Sequence, residues 1–162
     1  MMKNLTLQPI GTIHSPFNKP HGTPIQPAGA VGVSGKIILR PEFEEALQDL
    51  EGFSHIILLY YFHLSEGYTL KVKPFLDDTM RGLFATRAPR RPNPIGISVV
   101  PLERIEGRIL FISNIDVVDG TPLLDIKPYV PEFDKTDEVK IGWVTNKIKE
   151  VNHIRSDDRF QL

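Results

Sequence analysis

The chain has 162 residues, 41% of them hydrophobic and 24% charged, a formal net charge of −1 and no cysteine. A chain of that length can bury a core without staples, and the missing thiols exclude a disulfide scaffold, thiolate metal sites and a cysteine nucleophile. The near-neutral charge excludes a globally basic nucleic-acid binder, so any RNA contact has to rest on a local patch.

Leu7 to His14 reads as a strand that enters a proline-rich loop running from Ser15 to about Ala30. Ordered loops of that length are often functional. Val31 to Leu39 alternates as a strand. Pro41 to Leu50 reads as a short helix, with proline at its start, acids in its first turn and an apolar face of Phe43, Ala46, Leu47 and Leu50. A buried strand follows over residues 55–62, and a short strand is possible at 69–73.

Gly82 to Thr86 predicts a strand leading into an arginine-rich loop. Ile97 to Ile105 is a further strand, with Pro101 at an edge or a bulge. Gly107 turns the chain, and Arg108 to Val117 pairs back. Asp119-Gly120-Thr121-Pro122 is a turn before a last strand over Leu124 to Lys127. Ile141, Val144, Ile148, Val151 and Ile154 recur at helical spacing and predict a C-terminal helix near 138–154. These elements imply a mainly β (α+β) fold, a small barrel with peripheral helices. The expected division is a barrel domain over 1–135 and a helical extension over 136–162. No apolar run approaches the roughly 20 residues of a membrane span, the N-terminus has no signal-peptide core, and the chain reads as cytoplasmic.

Familiar sites are missing. Gly29 to Gly35 is rich in glycine but neither follows a strand nor opens a helix, so it is not a dinucleotide loop. The five histidines form no metal-binding pair, and no Gly-x-Ser-x-Gly elbow is present. No metal is expected.

Three segments carry unusual chemistry. In the first, Phe84 to Ser98, prolines at 89, 92 and 94 stiffen a loop that holds Arg87, Arg90 and Arg91. A stiff loop loses less entropy when its arginines bind, and arginine presents a planar fork to phosphate or carboxylate. Asn93, between two prolines, offers an amide able to read a hydrogen-bonding edge, and Gly96 allows close backbone approach. The second segment, Asp116 to Pro131, places Asp116, Asp119, Asp125 and Lys127 close together. The third is the polar loop Pro24 to Gly29. Asp119-Gly120 taken alone reads as a hairpin turn, and Asp125 with Lys127 reads equally as a structural ion pair.

Together these segments resemble the TsaA/TrmO-like family. The resemblance rests on Ala85-Thr86-Arg87 with Arg91-Pro92-Asn93-Pro94-Ile95-Gly96, and on Asp119-Gly120-Thr121-Pro122 with Asp125-Ile126-Lys127-Pro128-Tyr129. It covers about residues 8–134. It implies a TsaA-like β-barrel that uses S-adenosyl-L-methionine outside the Rossmann class, works as a homodimer and N6-methylates threonylcarbamoyladenosine at position 37 of threonine tRNA.

Carried over by motif, the cofactor contacts would be Pro27, Ala28, Gly29, His63, Leu64, Arg87, Ile97, Ser113, Asn114, Ile115 and Asp116. Substrate contacts would be Arg90, Arg91, Asn93 and Lys127. Asp119 or Tyr129 would take the proton from the attacking nitrogen. Alignment of that nitrogen with the sulfonium methyl would be the enzyme's main contribution. Two other readings stay open from the residues alone: a methyltransferase of a small metabolite, and a non-catalytic RNA- or adenosine-binding module.

Overall fold

Alternation of buried and outward-facing residues organises the strands of this protein, whose computed structural model describes residues 4–160. Eight strands form: β1 (Gly11–His14), β2 (Gly35–Leu39), β3 (His55–Tyr61), β4 (Lys71–Val72), β5 (Arg81–Gly82), β6 (Ile95–Glu106), β7 (Ile109–Ile112) and β8 (Thr121–Pro128). Six of them close into an antiparallel barrel in the order β1-β2-β7-β6-β3-β8. Closure comes from β1, which pairs with β2 on one side (Gly11 opposite Leu39) and with β8 on the other (Gly11 opposite Leu123). Closing a sheet removes its open edges.

Side chains alternate across each strand, so β3 sends Ile56, Leu58 and Tyr60 inward while β6 sends in Gly96, Ser98 and Val100. They meet Ile13, Ile37, Leu39, Leu110, Ile112, Ile115 and Leu123 in one core. Burying a side chain of the leucine class contributes about 1.5–3 kcal/mol. The outward residues pair as Tyr61 with Ile95, Leu59 with Ile97 and Ile57 with Val99. They leave an apolar band on the outside of the barrel.

Glycines permit two close approaches. A Cβ at Gly96 would lie 2.2 Å from the Tyr60 ring, and one at Gly11 would lie 2.6 Å from the Ile38 carbonyl oxygen. Pro101 sits where β6 passes from β3 to β7, beside a register shift between Leu102 and Arg104. Such a shift accommodates a residue that cannot donate to the ladder.

Several expected elements take another form. The first strand begins at Gly11 and the second at Gly35, because the residues before them follow loop paths. Residues 41–47 form a 3-10 helix rather than an α-helix, and Asp49 takes a left-handed conformation at φ 66° before a second 3-10 turn over Leu50–Gly52. Phe43, Leu47 and Leu50 face the core as expected, whereas Ala46 is exposed. Of the strand expected at 82–86, Gly82 alone lies in a strand (Arg81–Gly82), and Leu83–Ala85 turns to launch the arginine loop.

The helix expected at 138–154 does not form. Gly142–Asn146 and Ile148–Glu150 are 3-10 turns, and Gly142 has φ +57°. Glycine and β-branched residues both disfavour a helix, and the stretch contains Gly142, Val144 and Thr145. The Thr145 hydroxyl also donates to the Gly142 carbonyl, a local bond that competes with the helical ladder. Val151 is buried, while Ile141 and Ile148 are exposed. The segment instead runs as a strap over the loops beside the barrel. The one α-helical turn, Pro131–Asp134, lies between β8 and the strap. Among the described residues, no helix is long and apolar enough to cross a membrane.

Candidate functional site

Ser98 carries a hydroxyl at an inward position of β6. It donates to the Asp116 carboxylate at 2.7 Å and lies 3.0 Å from the Tyr60 hydroxyl. Serine has one proton to give. With that proton on Asp116, the Tyr60 phenol donates to Ser98, and a three-member chain ends at the carboxylate. Burial pushes the Asp116 carboxyl up to about 6, against the bond from Ser98 and the nearby charge of Arg87. Burial first and then Asp116 push the Tyr60 phenol far above its ordinary range, so it stays protonated.

Arg87 projects from the loop that follows β5. Its guanidinium donates to the Gln26 side-chain carbonyl at 2.8 Å, and Gln26 caps the 3-10 turn Pro27–Gly29. The arginine loop and the N-terminal loop are thereby joined beside Asp116. Asn114 sits at φ 57°, a left-handed conformation that asparagine tolerates. Its side-chain oxygen accepts from the Gly32 N–H at 2.8 Å. The next two residues point differently: Ile115 is buried in the core and Asp116 joins the Ser98 chain. Ser113 donates to Glu103.

The other loop arginines are committed to backbone. Arg91 donates to the Thr86 carbonyl at 2.8 Å and lies over the Phe84 ring. Arg90 donates to the Glu66 carbonyl at 2.9 Å. Both hold the loop in shape. Asn93 and Phe84 are exposed. His63 follows β3 and is half-buried, and burial lowers its affinity for a proton, which leaves it neutral near pH 7. Leu64 is exposed beside it. Ile97 faces outward on the apolar band, on the opposite side of β6 from Ser98.

Asp119 and Tyr129 are not brought together, because they flank opposite ends of β8. Asp119 accepts from the Ser15 N–H at 3.1 Å and from His14 Nδ1 at 3.0 Å. Tyr129 lies near His55, their ring centroids 6.4 Å apart, at the end of β3 remote from His63. Lys127 forms an ion pair with Asp125 at 2.8 Å on the surface. Among the described residues, no group of three or more His, Asp or Glu is placed to hold a metal ion.

Sequence reading missed Tyr60, Ser98, Gln26 and Trp143. Ser98 left a signal, since it is a hydroxyl on the inward phase of an otherwise apolar strand. Trp143 left none, because its role depends on where a non-helical segment happens to lie. Two surface concavities occur elsewhere, one around Thr12, His14, Leu39 and Arg108 and the other around Val72, Met80 and Arg159.

Residues 12–135 match the family model for the N-terminal domain of tRNA-methyltransferase O. The chain belongs to that family. A protein of Pyrococcus abyssi described as a "Probable S-adenosyl-L-methionine-binding protein" is 52% identical over 94% of this chain and 83% of its own length. The human tRNA (adenine(37)-N6)-methyltransferase is 39% identical over 84% of this chain, which spans only 32% of the human protein. The crystal structure of TrmO from Pseudomonas aeruginosa superposes with a TM-score of 0.73 at 42% identity, covering 87% of this chain and 63% of that one. The family match ends at residue 135, so the strap lies outside it.

Proposed function

We propose that this chain is an S-adenosyl-L-methionine-dependent methyltransferase of tRNA, acting on N6 of adenosine 37. Its finer substrate in this reading is threonylcarbamoyladenosine in threonine tRNA. The observation that carries the reading is the convergence of Asp116, Arg87 and the Pro27–Gly29 turn in a chain of this family. The residues suit such a ligand. An amino-acid terminus needs an acceptor for its ammonium group and a cation for its carboxylate, which Asp116 and Arg87 provide. Adenosine needs an apolar wall and backbone polar groups, which Leu64, Ile97 and residues 27–29 provide.

When bound, S-adenosyl-L-methionine supplies an electrophilic methyl. Arg87, fixed by Gln26, and Asp116, fixed by Ser98, would hold the amino-acid end of the donor. Orientation of reacting groups can contribute roughly 7–11 kcal/mol at its upper limit. The attacking N6 would have to lose its proton to a nearby acceptor. Asp119, oriented by Ser15 and His14, is the acceptor in this scheme; Tyr129 lies too far along β8 to share the task within one chain. Arg90, Arg91 and Asn93 present a rigid, basic loop surface to the RNA, with Lys127 farther off.

The apolar band of Ile57, Leu59, Tyr61, Ile95, Ile97 and Val99 supports a homodimer, because exposed apolar patches mark contact surfaces. A second copy on that band would cover Ile97 and Leu64 and turn an open surface into a pocket. A cytoplasmic location and a division at residue 135 belong to the same reading. The test is incubation with methyl-labelled S-adenosyl-L-methionine and total tRNA from a strain lacking the gene. Label in threonylcarbamoyladenosine supports the full reading. Cofactor binding without label in RNA turns it to a small-metabolite methyltransferase, and binding of RNA alone turns it to a non-catalytic module.

A further inference from the structure

The strap over residues 142–160 touches both loops that hold the candidate cofactor site. At one end, the Trp143 indole N–H donates to the Ala85 carbonyl at 2.8 Å, two residues before Arg87. The Arg81 guanidinium lies 5.3 Å from the centre of the same indole and is itself ion-paired with Asp77. At the other end, Gly22 N–H donates to the Ser156 carbonyl at 2.8 Å and Ser156 N–H donates to the Thr23 carbonyl at 2.9 Å. The Ser156 hydroxyl lies between the Pro20 and Thr23 carbonyls and shares its one proton with them. Between these ends the strap crosses Gly29, where a Cβ would meet the Val151 carbonyl and the Arg155 guanidinium at 3.3 Å. None of these contacts uses the barrel core.

Among the described residues, one hydrogen bond joins the two loops directly, from Arg87 to Gln26. A bond between two exposed loops contributes little if the loops are free to move, because ordering each residue costs conformational entropy. The strap removes that freedom before any ligand arrives, and preorganisation of this kind raises affinity.

We infer that the strap is a positioning element for the methyl donor, with Trp143 and Ser156 as its two anchors, holding Arg87 and the Pro27–Gly29 turn at their binding separation. The inference rests on the proposed cofactor site. Trp143 and Ser156 act through Ala85 and Thr23 and touch no reacting atom.

The test uses the full chain and calorimetric titration with S-adenosyl-L-methionine and S-adenosylhomocysteine. Trp143→Phe keeps a ring beside Arg81 and removes the N–H; Ser156→Ala removes the shared hydroxyl donor; Phe133→Ala, at an exposed residue on the helical turn before the strap, is the control. Loss of one neutral hydrogen bond corresponds to about fivefold in an equilibrium constant. Each anchor variant is expected to weaken binding by about that factor, and the double variant by more. The Tm stays at the parent value, KM for the methyl donor rises, and kcat at saturation is unchanged.

Unchanged affinity in the double variant overturns the inference. So does a fall in Tm or kcat in step with the loss of affinity, since that would make the strap a general support of the fold. Failure of the parent itself to bind either ligand removes the proposed cofactor site and the inference with it, a result distinct from the other two.

Discussion

The barrel and the strap solve the problem of holding a chain in place by opposite means. In the barrel, β3 and β6 pair along seven positions, from His55 opposite Pro101 to Tyr61 opposite Ile95. Their inward side chains fill a core that excludes water. The strap has short 3-10 turns, one buried apolar residue in Val151, and hydrogen bonds aimed at the backbone of other loops. The barrel carries most of the buried apolar surface, and in the proposed arrangement the strap sets the separation of the two loops. Substitutions in the two regions therefore differ in what they change.

The largest expected effect belongs to the barrel. Leu58→Ala leaves a void in the core and is expected to lower stability by about 2–5 kcal/mol, read by denaturant unfolding, while ligand affinity of the remaining folded protein holds. A fall in affinity with no loss of stability would break the division. Gly96→Ala comes next. The added methyl would enter the Tyr60 ring, and overpacking of this kind costs about 1–3 kcal/mol. Since Tyr60 leads through Ser98 to Asp116, this variant is expected to lower both stability and cofactor affinity. It probes the place where the barrel core meets the candidate site.

Asp116→Asn sharpens the comparison through pH. The Asp116 carboxyl is pushed up to about 6, from an ordinary 3.8. The folded protein therefore binds more protons than the unfolded chain between these values, and stability falls as pH rises through this window. The raised pKa reflects a cost of ionisation on the order of 1–3 kcal/mol, fully present above pH 6. Asp116→Asn abolishes that dependence, so its stability relative to the parent should improve from pH 4 to pH 7. Cofactor affinity should move the other way in the parent, rising as the carboxylate forms, and should be weak and flat in the variant. Parallel pH profiles for parent and variant would remove Asp116 from the site. The smallest effect is expected at Lys127→Ala. Its ion pair with Asp125 is on the surface, where water screens such pairs and they add little, and thermal unfolding should scarcely change.

What could be read from the sequence follows the same division. Residues 55–62 announced a strand because their apolar run is unbroken and of strand length. The loop residues around Arg87 and Asp116 were conspicuous because prolines, arginines and aspartates are costly to place without a reason. The C-terminal stripe misled. Ile141, Val144, Ile148, Val151 and Ile154 keep a helical spacing, yet Gly142 and Thr145 interrupt the ladder and the strap finds its hydrogen-bond partners in distant loops. The role of Gln26 was equally hidden, since it depends on Arg87 far along the chain; the Ser98 hydroxyl could be seen in the strand, but not its partner Asp116.

Barrel closure by β1 has a consequence for the order of assembly. Gly11 waits for Leu123, so a nascent chain leaving the ribosome carries an unsealed first strand until β8 has emerged. Contacts between residues so far apart in sequence are formed slowly, and a waiting strand edge invites pairing with the wrong chain. The strap is synthesised after β8, so the sheet can seal before its anchors arrive. A ribosome stalled between the two would display a closed barrel whose cofactor loops have not yet been drawn together.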